Sequence, residues 1–170
     1  MKRVTLITGG AGGGKSRHAL ESAAECGARV LFVATCVPRD EEMRAKVARH
    51  QAERPSSWHT VEATHRIADT LRPGYDAAVV DCLTLLVSQL MIEEAAESDI
   101  LAEVARLCDW ASYPVFIVTN EVGWGLVPEN ALGRRFRELA GRANRLAAER
   151  SDCVVLMVSG IPLTLKGGRV

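Results

Sequence analysis

The chain has 170 residues, and its 21 Lys+Arg against 21 Asp+Glu leave a formal net charge of zero. That length predicts one domain over residues 1–170 with room for a substantial core, and the balanced charge argues against a dedicated nucleic-acid binder. Hydrophobic residues reach 48% without any apolar run that would span a bilayer, and the 5 cysteines, with no C-x-x-C, read as reduced thiols of a cytoplasmic protein, each a small core hydrophobe.

Val4–Thr8 is a short apolar run that reads as a buried strand; although Lys2 and Arg3 precede it, it is too short for a signal peptide. It leads straight into Gly9-Gly10-Ala11-Gly12-Gly13-Gly14-Lys15-Ser16, a G-x-x-x-x-G-K-S phosphate loop, and a helical pattern follows over Ser16–Glu25. Each part suits a nucleoside triphosphate. Backbone N–H groups of the glycines turn inward on the phosphates, Lys15 reaches the β and γ oxygens, and the Ser16 hydroxyl ligates Mg2+. The helix adds the positive end of its dipole at the same place. His18, on that helix, reads as a packing or surface group.

Val30–Ala34 is the next strand and Glu41–Gln51 the next helix, with Asp40 as its N-cap and Pro55 beyond its end. Met43, Val47 and His50 fall on one stripe at i, i+4, i+7. On spacing alone His50 is a partly buried histidine of the packing face. Its chemistry allows more: a neutral imidazole can attack an α-phosphate near pH 7, giving a phosphoramidate and expelling pyrophosphate. A strand over Trp58–Glu62 and a short helix over His65–Leu71 follow. Ala77–Asp81 is an apolar strand ending in a carboxylate, which either orients Mg2+ beside the phosphate loop or caps the next helix. The Ser16 hydroxyl in the loop favours the metal role.

Helical patterns over Thr84–Ala96 and Ile100–Ala111 lead to a strand at Val115–Thr119. In the segment Asn120–Glu129 that follows, Trp124 sits between Gly123 and Gly125, which suits a ligand or partner loop as well as it suits a core tryptophan. Asn120 is followed by Glu121, so the N-K-x-D signature of GTPase switches is absent. The last long helix, Leu132–Arg150, carries Arg134, Arg135, Arg137, Arg142 and Arg145. They read as a solvated face with pairs such as Arg134–Glu138, one of them able to reach an anionic substrate. Cys153–Ser159 is the last core strand, and the Gly-rich tail Lys166–Val170 is expected to fray.

Buried strands alternating with crossover helices predict an α/β fold: a P-loop NTPase-like, doubly wound, mainly parallel sheet with helices on both faces. Ligands then bind at the carboxyl ends of the strands, in the segments Gly9–Ser16, Thr35–Asp40, Asp81–Thr84, Asn120–Asn130 and Gly160–Lys166.

Several of these segments together resemble one family, the bifunctional adenosylcobinamide kinase/adenosylcobinamide-phosphate guanylyltransferases of cobalamin biosynthesis. The resemblance runs in order along nearly the whole chain. It includes the phosphate loop, Ala34-Thr35, Asp40-Glu41-Glu42-Met43, His50-x-x-x-Arg54-Pro55 with Trp58, Thr60 and Glu62, and Asp81-Cys82-Leu83-Thr84. It continues through Thr119-Asn120-Glu121-Val122-Gly123-Trp124-Gly125, Val127-Pro128-Glu129-Asn130, Phe136-Arg137, Ala140-Gly141-Arg142, Asn144 and Val158-Ser159-Gly160-Ile161-Pro162. The phosphate loop is generic; the His50–Pro55 and Asn120–Pro128 signatures are specific.

The resemblance implies two reactions. The hydroxyl of the aminopropanol arm of adenosylcobinamide is phosphorylated with ATP or GTP, and GMP then passes from GTP through a histidine to the cobinamide phosphate, giving adenosylcobinamide-GDP. His50 matches the histidine that carries GMP. Ala34, Thr35, Cys36, Gln51, Ala52, Glu53 and Arg54 match nucleotide-binding segments, and Glu62 and Asp81 match acidic residues near the nucleotide. A homotrimer is implied as well. This chain departs from the usual family pattern where Gly12 and Gly13 replace an Arg and a Ser in the loop, where Asp81 stands for a longer Glu, and in the shortness of Met91–Tyr113. A simple small-molecule kinase with His50 merely packing, and a non-catalytic nucleotide-binding module, are the rival readings.

Overall fold

In the central strand-forming runs apolar and β-branched side chains point to both faces, because each face is covered by helices, while the two outermost runs are largely exposed. In the computed structural model, which describes residues 4–36, 38, 41–52, 54–110 and 112–168, with the side chains at 42, 43, 46, 49, 50 and 52 outside that description, they form one 7-stranded sheet. Its strands are β1 (Val4–Gly9), β2 (Val30–Ala34), β3 (His59–Glu62), β4 (Ala77–Asp81), β5 (Val115–Val118), β6 (Cys153–Val158) and β7 (Ile161–Lys166), in the order β3-β2-β4-β5-β1-β6-β7. All neighbours are parallel except β6 and β7, which pair antiparallel.

The helices are α1 (Lys15–Cys26), α2 (Glu41–Ala52), α3 (Ile67–Thr70), α4 (Leu83–Ile92), α5 (Glu97–Cys108) and α6 (Ala131–Arg150). Alternate strand residues serve different layers. Leu6, Val33, Val80 and Ile117 face a large apolar cluster built with α4, α5 and α6. Ile7, Phe32, Val79 and Phe116 face a second cluster with Ala19 and Ala23 of α1. The doubly wound, mainly parallel α/β fold read from the sequence is therefore present. Among the described residues, no helix is long and apolar enough to cross a membrane.

Four details differ from the sequence reading. The segment around Gly160–Lys166 is not a loop and a frayed tail. It is the edge strand β7, with Lys166 opposite Val154 and its Nζ donating to the Ala148 and Glu149 carbonyls. Arg169 and Val170 lie outside the described residues. Helix α4 stops at Ile92, where the Ala95 N–H closes on the Leu90 carbonyl at 3.0 Å, and α5 begins earlier, at Glu97. Cys82, Cys108 and Cys153 are buried as expected, but Cys26 is exposed and Cys36 only half-buried. Finally, Arg134 does not take Glu138 as its partner: its Nη1 donates to the Pro128 and Glu129 carbonyls, at 3.1 and 2.6 Å.

Candidate functional site

The phosphate loop joins β1 to α1, and its shape is set by close backbone packing. At Gly9, with φ +144°, a Cβ would stand 2.5 Å from the Met157 carbonyl oxygen, so no larger residue fits. The loop is tied on both flanks: the Glu121 N–H donates to the Gly9 carbonyl and the Gly160 N–H to the Gly13 carbonyl, both at 3.1 Å. Gly14 is the N-cap of α1 and offers no side-chain cap, which leaves the first-turn N–H groups to an incoming anion. Lys15 is buried, its Nζ donating to the Gly10 carbonyl at 2.6 Å. Ser16 follows in the first turn of α1.

A second group gathers at the carboxyl ends of β2, β3 and β4. Ala34 lies in register between Glu62 and Asp81. Arg54 stacks its guanidinium 3.9 Å from the centroid of Phe32 and donates from Nη1 to Thr60 Oγ1 at 3.1 Å. Burial pulls the Arg54 guanidinium below its ordinary value, and the charges of Asp81 and Glu62 act the other way. Arg54, Glu62 and Asp81 are thus within electrostatic reach of one another. Asp81 precedes the N-cap of α4, which is Cys82, so the capping alternative for Asp81 does not hold. Burial, with the Asp81 charge adding to it, pushes the Cys82 thiol up to about 12, and this cysteine stays protonated. Thr35 clips the two strand ends together: its Oγ1 donates to the Cys82 carbonyl and accepts from the Cys82 N–H, each at 2.7 Å.

Cys36 and Glu62 line a cavity of about 410 Å3 with Pro38, Ala63, Thr64 and His65. Gln51 and Ala52 end α2, with Gln51 exposed. Glu53 lies outside the described residues, as do the side chains of His50 and Ala52. His50 precedes Arg54 by four residues in the sequence, a stretch that spans at most about 14 Å of chain.

The sequence reading missed a chain of buried polar groups beneath this edge. Thr84 Oγ1 and Thr119 Oγ1 lie 3.0 Å apart, Thr119 donates to Asn144 Oδ1 at 2.6 Å, and Thr8 Oγ1 donates to Glu121 Oε1 at 2.5 Å. Asn144 Nδ2 donates to the Asn120 carbonyl at 3.1 Å, which ties the network to α6. Each of these residues is ordinary in its own stretch of sequence. Only the topology, which places β1, α4, β5 and α6 side by side, brings them together. Thr84, Thr119, Glu121 and Asn144 stand inside the segments that carry the resemblance, which implies no role for them.

A family model described as cobinamide kinase / cobinamide phosphate guanyltransferase matches residues 5–165. The chain is 38% identical over 181 residues to the bifunctional adenosylcobalamin biosynthesis protein CobU of Salmonella typhimurium, covering 95% of this chain and 98% of that one. It is 39% identical over 168 residues to the bifunctional adenosylcobalamin biosynthesis protein CobP of Pseudomonas aeruginosa, covering 95% and 96%. Among solved structures, a KaiC-like protein of Pyrococcus horikoshii aligns with a TM-score of 0.54 at 16% identity, over 91% of this chain and 71% of that one. At such identity the likeness is one of fold.

Proposed function

Because the chain belongs to the cobinamide kinase / cobinamide phosphate guanyltransferase family, we propose that it phosphorylates adenosylcobinamide and then guanylylates the product through His50. In the first reaction the cobinamide hydroxyl oxygen attacks the γ-phosphorus of ATP or GTP, the bond to the β-phosphate oxygen breaks, and the hydroxyl proton is lost. In the second, a His50 ring nitrogen attacks the α-phosphorus of GTP and pyrophosphate leaves. A phosphate oxygen of cobinamide phosphate then attacks the same phosphorus, releasing the imidazole and giving adenosylcobinamide-GDP.

The observation that carries this reading is that one parallel sheet carries at its carboxyl end both a buried Lys15 in its glycine cradle, after β1, and the Arg54–Glu62–Asp81 group, at the ends of β2, β3 and β4. The backbone from Gly9 to Gly14 and the side chains of Lys15 and Ser16 hold the phosphates. Ala34, Thr35, Cys36 and the 51–54 segment border the nucleoside, with Glu62 placed to accept from its hydroxyl or amino donors. Among the described residues no group of three or more His, Cys, Asp or Glu side chains forms a metal cage. A Ser16 hydroxyl and the single Asp81 carboxylate nevertheless fit Mg2+, which usually takes one or two side chains and completes its shell with phosphates and waters. When bound, the ion would neutralise charge on the reacting phosphates.

The homotrimer implied by the resemblance has support in β7. It ends the sheet, and Ile161, Leu163 and Leu165 alternate along it at 68%, 54% and 58% exposure, a row that an unpartnered edge strand rarely presents. Light scattering on the intact protein measures the assembly directly.

The test of function uses GTP labelled at the α-phosphate. Acid-labile label is expected on the denatured wild-type protein and none on His50→Ala, with γ-phosphoryl transfer to cobinamide surviving in that variant. Full labelling of His50→Ala would overturn the assignment, and no labelling of the wild type would leave a simple kinase.

A further inference from the structure

The segment after β5 carries a group of exposed apolar side chains near the phosphate loop. Trp124 is 68% exposed, Leu126 95% and Val127 63%. Such a group on a loose tip would carry little meaning, but this loop is held at several points. The Glu121 N–H is bound to the Gly9 carbonyl of the phosphate loop at 3.1 Å, and the Asn120 carbonyl accepts from Asn144. The Gly123 carbonyl accepts from both Nε and Nη2 of Arg137, and the Pro128 and Glu129 carbonyls accept from Arg134. Val122–Trp124 form a single 3-10 turn between these anchors. Three residues of chain span at most about 11 Å, so the Trp124 backbone stands no farther than that from the backbone of Glu121, which is bonded to the cradle.

We propose that Trp124, Leu126 and Val127 form the seat of the corrin macrocycle, stacking a face of the ring while its aminopropanol arm extends to the phosphates at Lys15. The inference rests on the cobinamide reading above. A large flat, largely apolar ring is not suited to a cradle of backbone N–H groups and the Lys15 ammonium, and lies outside it. Its reacting hydroxyl is at the end of an arm, so the ring is seated beside the phosphate cradle and not in it. A fixed indole beside two aliphatic side chains supplies that face with little ordering cost on binding. Self-association has a better-suited surface in the alternating row of β7, an edge strand with unpaired backbone to extend the sheet.

The experiment titrates the intact protein with adenosylcobinamide while tryptophan emission is followed. Of the 3 tryptophans, Trp58 is buried and Trp110 half-buried, so saturable quenching is expected in the wild type and its loss in Trp124→Ala. In steady state, Trp124→Ala and Leu126→Asp are expected to raise KM for cobinamide roughly tenfold with a smaller change in kcat. Labelling of the protein by α-labelled GTP, which takes no corrinoid, persists in both. Leu126 is almost fully exposed, so its replacement tests the seat without disturbing the core. An unchanged KM in both variants, or a lost trimer with unchanged KM, overturns the proposal. Absence of label on the wild type would remove the guanylyltransferase reading while the quenching and KM results still decide the seat.

Discussion

Helices α1 and α2 each follow a strand of the same sheet and are each 12 residues long, yet their described side chains stand in different surroundings. Helix α1 presses Ala19 and Ala23, both fully buried, against the sheet, and its first residue, Lys15, is buried too. Small side chains let that helix approach closely, so the phosphate cradle at its N-terminus has a fixed position. Helix α2 contributes no described residue to either apolar cluster; of its described side chains Val47 is half-buried and Glu41, Arg44, Ala45, Ala48 and Gln51 are exposed. The difference fits the division of labour proposed for the two reactions. A phosphate cradle serves every turnover in one geometry, whereas a histidine that takes GMP from one ligand and gives it to another benefits from a support not locked into the core.

The largest expected effect separates the two helices by chemistry. Lys15→Ala removes the charge proposed to face the phosphates in both reactions, and each rate is expected to fall by about 10²- to 10³-fold, the usual cost of losing one preorganised group that stabilises developing charge. His50→Ala is expected to abolish only guanylylation. Steady-state assays of γ-phosphoryl transfer and of GDP-cobinamide formation, run side by side, check the pair. Equal loss of both activities in His50→Ala would break the comparison, because α2 would then serve the cradle as α1 does.

Next in size is a matched pair of packing variants. Ala23→Leu overfills the interface between α1 and the sheet and is expected to cost about 1–3 kcal/mol. Ala48→Leu, on an exposed face of α2, is expected to stay within about 0.5 kcal/mol of the wild type. Urea unfolding followed by far-UV circular dichroism measures both. Gly12 sharpens the same contrast within the cradle. Its φ is +70° and a Cβ there meets nothing within 4 Å, so Gly12→Arg, which restores the usual family residue, is expected to cost about 1 kcal/mol of backbone strain without a clash.

What could be read from the chain beforehand follows the same physics. Strands covered on both faces are continuous apolar runs, and β2 and β4 come out with the bounds read from the sequence. The glycine loop carries its own chemistry in consecutive residues and is equally plain. Strand β7 was hidden because it is an edge strand with Pro162 inside it. The signal that finds it is Ser159-Gly160, a two-residue turn with φ of 50° and 82° linking Val158 to its partner Ile161. The end of α4 has no glycine or proline to mark it. The partnership of Arg54 with Glu62 and Asp81, and that of Asn144 with Thr119, join segments far apart in sequence. They depend on strand order, which local pattern does not encode.

The smallest effect concerns thiols, and it reports which helix covers the sheet. Cys82 lies in the same apolar cluster as Ala19 and Ala23, beneath α1, whereas Cys36 is half-buried on the way from β2 to α2. In a Cys26→Ser background, which removes the exposed cysteine of α1, iodoacetamide at pH 8.5 is expected to modify Cys36 and spare Cys82. Because burial raises the Cys82 pKa in the fold from an ordinary 9.0 to about 12, the unfolded chain releases this proton first as pH rises. The stability it contributes is therefore complete below pH 9 and is lost progressively towards pH 12. Cys82→Ala removes that pH-dependent component, and urea midpoints compared between pH 8 and pH 10 check it. Should Cys82 alkylate as fast as Cys36, the cover that α1 gives the sheet would not be tight, and α1's side of the contrast would not hold.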